Sequence, residues 1–219
     1  MRTLRDISAA IFDIDGTLLD SSGIWKDLGG RYLRGIGVTP RPGLAGILAP
    51  MTMQESCQYL RETYGLPASE ADIQYGLLGM ISRFYREECA LKSGAAELLE
   101  VLQNRGVTMA LATAGDRELS RTALDRLGVL RYFSGIVTCD EYGSKNRPGI
   151  FLAAAVLTGS SPTECAIFED SLQAVRTADS AGFLTAAVRD ISEPRQDELR
   201  SCADFYAESL SDYAVMLKI

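Results

Sequence analysis

Two aspartates one residue apart, Asp13 and Asp15, follow directly on the apolar run Ala9-Ala10-Ile11-Phe12 and precede Gly16 and Thr17. A buried strand that stops in acids and glycine delivers its next side chains to a crevice rather than to a core. Three later apolar runs end in polar residues too. Residues 107–112 lead to Thr113 and Ala114, 135–137 lead towards Lys145, and 165–168 lead to Glu169 and Asp170. In an open parallel sheet the loops at the strand carboxyl ends converge, so these separated residues meet on one rim.

Carboxylates gathered that closely raise one another's pKa unless a cation stands among them. Oxygen ligands without histidine or thiolate suit a hard ion. Mg²⁺ is the natural choice, held by one or two carboxylates and completed by water or phosphate oxygens. Lys145 supplies a second local cation, ahead of a helix expected to open at Pro148. Thr113 ends a strand before another helix, where its hydroxyl and the free backbone N–H groups from Ala114 onward can hold phosphate oxygens. Unit charges 4 Å apart interact by about 4 kcal/mol at a surface-like dielectric, whereas charges beyond ~8 Å are largely screened in physiological salt. An acidic chain can therefore still take an anionic substrate. Within the pair, Asp13 at the strand end is expected to attack phosphorus, while Asp15 protonates the leaving oxygen and then activates water.

Composition narrows the chemistry from the other side. The 219 residues carry 22 Lys and Arg against 29 Asp and Glu, a net charge of −7, and no histidine. That excludes Ser-His-Asp triads, Cys-His dyads and H-E-x-x-H zinc sites. The cysteines Cys57, Cys89, Cys139, Cys165 and Cys202 are odd in number and lack C-x-x-C spacing, which argues against a disulfide framework or a thiolate zinc site. An acidic balance without a basic run argues against nucleic acid as a partner. At 47% hydrophobic and 23% charged residues, the chain is expected to fold throughout. Its apolar stretches are too short for a membrane span, and the N-terminus carries charge instead of an apolar signal segment. The expectation is a cytoplasmic protein acting on a small phosphorylated metabolite, with no membrane and no obligate protein partner.

The elements that must position these residues read as alternating strands and helices. Strands are expected at 9–12, 107–112, 135–137, 165–168 and 184–188, with an edge strand at 204–207. The alternation implies βαβ units and a parallel sheet. About ninety residues separate the first two strands, far more than one crossover helix requires. Helical patterns fill that stretch at 24–36, 44–48, 52–64 and 69–85, the first weakened by Gly29 and Gly30, the third opened by a Thr52/Glu55 capping box. The fold expected is an α/β, Rossmann-like parallel-sheet core formed by residues 1–18 and 92–219. An α-helical bundle cap is inserted at 19–91, with hinges near 18–22 and 90–94. Further helices are expected at 93–104, 193–202 and 210–217.

Four features in order, FDIDGTLLDS, the strand-end Thr113, Lys145 followed by Pro148, and AIFEDS with its helix ending at Gly182, make nearly the whole chain resemble the haloacid dehalogenase superfamily. The inserted helices are similar to its helical-cap subgroup, which includes beta-phosphoglucomutase and phosphoglycolate phosphatase. The resemblance implies an Asp nucleophile, an Asp acid/base and Mg²⁺. It also implies metal ligation by Asp13, the Asp15 carbonyl and Asp170, with Glu169 an outer or alternative ligand. Two departures stand out. The family commonly carries an acid after the proline downstream of the lysine, and this chain has Gly149. The mutases of the subgroup carry a cap histidine where this chain has Trp25, and their phosphate-binding arginine has no counterpart between Gly46 and Gln58.

The expected activity is Mg²⁺-dependent hydrolysis of a phosphomonoester through an aspartyl-phosphate. A phosphomutase and a non-catalytic phosphate-ligand binding protein are the alternatives. Asp15 itself argues against dehalogenase and phosphonate chemistry, since those relatives lack the second acid. Trp25 reads first as helix packing and second as a substrate contact. Arg117 reads equally as a phosphate-loop contact or a first-turn helix charge, and Lys26 as a solvated one.

Overall fold

The computed structural model describes residues 3–218. Among them six strands form one sheet: β1 (Ala9–Phe12), β2 (Thr108–Thr113), β3 (Phe133–Thr138), β4 (Cys165–Glu169), β5 (Leu184–Val188) and β6 (Phe205–Ala207). The order is β3-β2-β1-β4-β5-β6, and every neighbouring pair is parallel. This is the expected Rossmann-like α/β architecture. β1, β4 and β5 are buried at every residue, which is why their sequences run apolar without alternation: helices cover both faces of the sheet. β2 and β3 extend beyond the expected 107–112 and 135–137, because pairing to a neighbour carries Thr113 and Thr138 into the ladder.

The chain packs as two compact units, one running to Asp20 and resuming at Cys89, the other spanning Ser21–Glu88. The second unit holds α1 (Ser22–Gly35), α2 (Leu44–Leu48), α3 (Met53–Tyr64) and α4 (Glu70–Arg83), with one wide π turn at Phe84–Glu88. Capping boxes open α3 at Thr52/Glu55 and α4 at Ser69/Asp72. Ile24, Leu33, Leu60, Ile73 and Leu77 fill the interior. Two glycines are notches. A Cβ at Gly29 would lie 2.4 Å from Leu48 Cδ1, and one at Gly76 would lie 2.6 Å from Tyr32 Cε2. α1 does break its helical geometry, but at Asp27 (φ −128°, ψ 19°) rather than at the glycines.

The first unit adds α5 (Ala95–Asn104), α6 (Arg117–Arg126), α7 (Cys139–Tyr142), α8 (Gly149–Thr158), α9 (Leu172–Ser180), α10 (Gln196–Cys202) and α11 (Leu210–Lys218). Side chains alternate across a strand. Ile11 and Ile167 therefore pack with Phe151 and Ala154 of α8 and Ala174 of α9, while Phe12 stacks on Phe168 at 4.4 Å and Tyr213 of α11 meets Phe168 edge-on at 5.3 Å. Pro148 stands at the N-cap of α8 and Gly149 takes the first helical position, one residue later than expected. No helix among the described residues is long and apolar enough to cross a membrane.

Candidate active site

Register places the acids. Phe12 pairs with both Leu111 and Phe168, and Asp13 N–H donates to Phe168 O at 3.0 Å, so Asp13 leaves the sheet alongside Glu169 and Asp170. β1 is flanked by β2 and β4, the point where the winding of the sheet reverses and its strand exits open a crevice. A cavity of about 420 Å³ lies there. Its lining includes all seven expected site residues, Asp13, Asp15, Thr113, Ala114, Lys145, Glu169 and Asp170. It also includes Cys139, Ser144, Asn146, Ser171 and Gln173, which the strand-exit pattern does not single out. Adjacency to Lys145 and Asp170 would have flagged Ser144, Asn146 and Ser171. Cys139 and Gln173 carried no such signal.

Lys145 organises the rim. Its ammonium donates to Asp13 Oδ1 and to Glu169 Oε1, the latter at 2.6 Å. Glu169 Oε2 accepts the backbone N–H groups of Asp170 and Ser171 at 2.8 Å each, at the start of α9. Both Glu169 oxygens are thus engaged in holding Lys145 and the helix start, and this carboxylate supports the lysine that Gly149 cannot. Asp170 Oδ1 accepts from Thr17 Oγ1 at 3.2 Å. Gly16, at φ +90°, is the residue this approach requires, since a Cβ there would lie 2.5 Å from Asp170 Oδ2.

Three carboxylates crowd together where a single ammonium bonds to two of them. Asp13, Glu169 and Asp170 each offer an oxygen, all within 4.8 Å of one another. Burial pushes the Asp13 carboxyl up to about 7, Lys145 pulling against it and Glu169 adding to it. Burial, then Glu169 and Asp13, raise Asp170 well above the usual carboxylate range. Burial works to lower the Lys145 pKa, but Asp13 and Glu169 outweigh it and hold the ammonium charged. Asp13 Oδ2 is buried with no hydrogen-bond partner, a rare condition that marks a place for an ion or ligand. An all-oxygen set short of positive charge, with one acceptor open, fits a hard divalent cation.

Asp15 stands apart from that cluster. A Cβ on Gly115 would lie 2.8 Å from Asp15 Oδ2 and 3.2 Å from Thr113 Oγ1, so the Asp15 carboxylate faces the β2 exit. Thr113 Oγ1 accepts from Gly115 N–H at 2.9 Å and shapes the turn before α6. Arg117, at the start of α6, pairs with Glu141, which itself caps α7 through Thr138. Trp25 is about half exposed on α1.

A strand-exit site built from carboxylates and one lysine on this sheet defines a class of hydrolase. The haloacid dehalogenase-like hydrolase family matches residues 7–182, and the chain belongs to it. Hexitol phosphatase B of Escherichia coli is 26% identical over 216 residues, covering 97% of this chain and 96% of that protein. The bifunctional riboflavin kinase/FMN phosphatase of Arabidopsis thaliana is 29% identical over 207 residues, 94% of this chain but 54% of that protein, so the chain spans about half the relative's length. A Thermotoga maritima structure, provisionally assigned as a beta-phosphoglucomutase, superposes with a TM-score of 0.86 at 24% identity, covering 97% of this chain and 99% of that one.

Proposed function

We propose that this protein is a cytoplasmic, Mg²⁺-dependent phosphatase that hydrolyses a small-metabolite phosphomonoester through an aspartyl-phosphate. Asp13 carries the reading: a buried carboxylate fixed at one oxygen by Lys145 and open at the other, on the wall of a 420 Å³ cavity. An Asp13 oxygen bonds to phosphorus as the ester P–O bond breaks, and protonated Asp15 gives its proton to the departing alkoxide. Asp15, now a carboxylate, takes a proton from the water that next attacks phosphorus. The bond to Asp13 breaks, and inorganic phosphate leaves.

Lys145 offsets charge on the transferring group and favours the ionised form of Asp13. The Thr113 hydroxyl and the N–H groups from Ala114 hold phosphate oxygens at the start of α6. Asp13 and Asp170 would hold Mg²⁺, with the Asp15 carbonyl beside them as the family resemblance implies and Glu169 in support. Bound there, the ion neutralises carboxylate repulsion and the charge of the phosphoryl group.

The similarity to hexitol phosphatase B favours phosphorylated sugars and polyols as the first substrates to try. Incubated with such a panel and with an aryl phosphate, the protein should release inorganic phosphate with Mg²⁺ and not after chelation. Asp13→Asn should lower turnover by about 10³-fold or more, as loss of a covalent nucleophile does. An isomerised sugar phosphate as the main product would instead identify a mutase. Binding without turnover would leave only a phosphate-ligand binding protein.

A further inference from the structure

Lys92 lies outside the catalytic rim, where the chain re-enters the α/β unit, its backbone N–H donating to Leu18 O at 2.8 Å. Its ammonium has three protons, and all three are used: on Gly16 O at 2.7 Å, on Arg189 O at 2.9 Å and on Asp190 Oδ2 at 2.7 Å. The side chains of the pair are 15% and 4% exposed, so this is an interior ion pair rather than a surface charge. Holding a long side chain so completely has an entropic cost that a solvated lysine avoids.

The contacts continue from Asp190 towards the site. Asp190 Oδ1 accepts from Ser192 N–H at 2.8 Å and from Ser192 Oγ at 2.7 Å. Ser192 Oγ also stands 3.3 Å from Asp170 Oδ2, while Thr17 holds the other Asp170 oxygen. The path closes through Gly16, whose lack of a Cβ leaves room for the Asp170 carboxylate and whose carbonyl is held by Lys92. Lys92, Asp190 and Ser192 are not among the residues lining the cavity, yet they grip two of the things it depends on: the Asp170 carboxylate and the turn that carries Asp15.

We propose that Lys92, Asp190 and Ser192 are positioning residues that align Asp170 and the Asp15–Gly16 turn for the divalent ion. One Ser192 proton serves two carboxylates, and the shorter contact goes to Asp190, whose other oxygen Lys92 has fixed. Lys92 thus sets where Ser192 stands and what it can lend to Asp170. The ammonium also neutralises Asp190, whose carboxylate shares the Ser192 hydroxyl with Asp170.

The test is a calorimetric titration of Mg²⁺ into the full chain without phosphate, for wild type, Lys92→Met, Ser192→Ala and Ser192→Thr, with melting temperatures alongside. Partners that orient metal ligands typically contribute 10–100-fold in affinity, so Kd should rise about 10-fold or more in Lys92→Met and Ser192→Ala, and stay within about twofold in Ser192→Thr, which keeps the hydroxyl. A brace that served only the fold would lower Tm and leave Kd unchanged, and that result overturns the proposal. Should Lys92→Met fail to fold, Ser192→Ala decides alone. The inference rests on the proposed Mg²⁺ site, so Asp170→Asn is measured too. Loss of binding there with unchanged binding in Ser192→Ala refutes the brace only; unchanged binding in Asp170→Asn refutes the site and the brace with it.

Discussion

The helical unit Ser21–Glu88 and the strand-exit rim use polar residues in opposite ways. In the helical unit, Thr52 bonds to Glu55 and Ser69 to Asp72, three residues apart, and Arg83 pairs with Glu87, four apart, all in the open. At the rim, Lys145 reaches 132 residues back to Asp13, and Thr17 reaches 153 residues on to Asp170, in the interior. Exposed pairs contribute little to stability, and buried ones only with good geometry, because both charges lose water. Short-range polar bonds therefore mark where helices start. Long-range buried ones, three crowded carboxylates with one ammonium bonded to two of them, mark an arrangement kept against its own electrostatics, and chemistry is the reason to keep it.

The sharpest way to break this contrast is to remove one cation from each region. Lys145→Met leaves Asp13 and Glu169 facing each other unneutralised, and should destabilise the protein by about 3–5 kcal/mol, the usual effect of breaking a buried pair. Turnover of an aryl phosphate should fall by about 10²–10³-fold, as for loss of one charge-stabilising donor. Mg²⁺ should raise the melting temperature of this variant more than that of wild type, since the ion replaces part of the missing charge. Arg83→Met, in a pair whose side chains are 71% and 59% exposed, should change neither quantity measurably. Equal effects from the two substitutions would erase the distinction.

A smaller effect, of opposite character, is expected from the caps. Thr52→Ala and Ser69→Ala each remove a side-chain acceptor at a helix start and should each lower stability by about 1 kcal/mol in urea denaturation. Neither should alter Mg²⁺ affinity by calorimetry. A cap substitution that weakened Mg²⁺ binding tenfold would show that the helical unit's polar bonds serve the site as well.

The same contrast governs what could be read from the residues alone. β1 and β5 fall where unbroken apolar runs predict them, and the Thr52/Glu55 box is present, because these signals are contained in a few adjacent positions. Asp13, Thr113, Lys145 and Asp170 could be gathered from strand exits because a parallel sheet leaves them one place to meet. The brace of Lys92, Asp190 and Ser192 had no local signature, since each residue is ordinary for a loop and only the register of β1, β4 and β5 unites them. Gly29 reads as a helix weakness, whereas its role is to admit Leu48, a fact held by the partner and not by the glycine. Arg117 was equally open, and its pairing with Glu141 depends on how β2 and β3 end side by side.

The smallest effect expected is one of pH, and it tests whether the helix-start carboxylates act as charges or merely as shapes. Glu55 is held below the usual carboxylate range by the Thr52 backbone N–H and then its hydroxyl, and Asp72 by the Ser69 hydroxyl and then its backbone N–H. A folded-state pKa below the unfolded value of about 4.3 for Glu or 3.9 for Asp means that the unfolded chain takes up the proton first. The stabilisation is therefore complete above that range and is lost as pH falls through the lowered folded values. Glu55→Gln and Asp72→Asn keep the side-chain shape and discard the charge. The stability gap between each variant and wild type, from urea denaturation, should be present at pH 6–7 and close as the pH is taken below about 4, the unfolded carboxylate range. A gap that stayed constant down to pH 3 would assign the caps to hydrogen-bond geometry alone, and the electrostatic half of the comparison would then belong entirely to the rim.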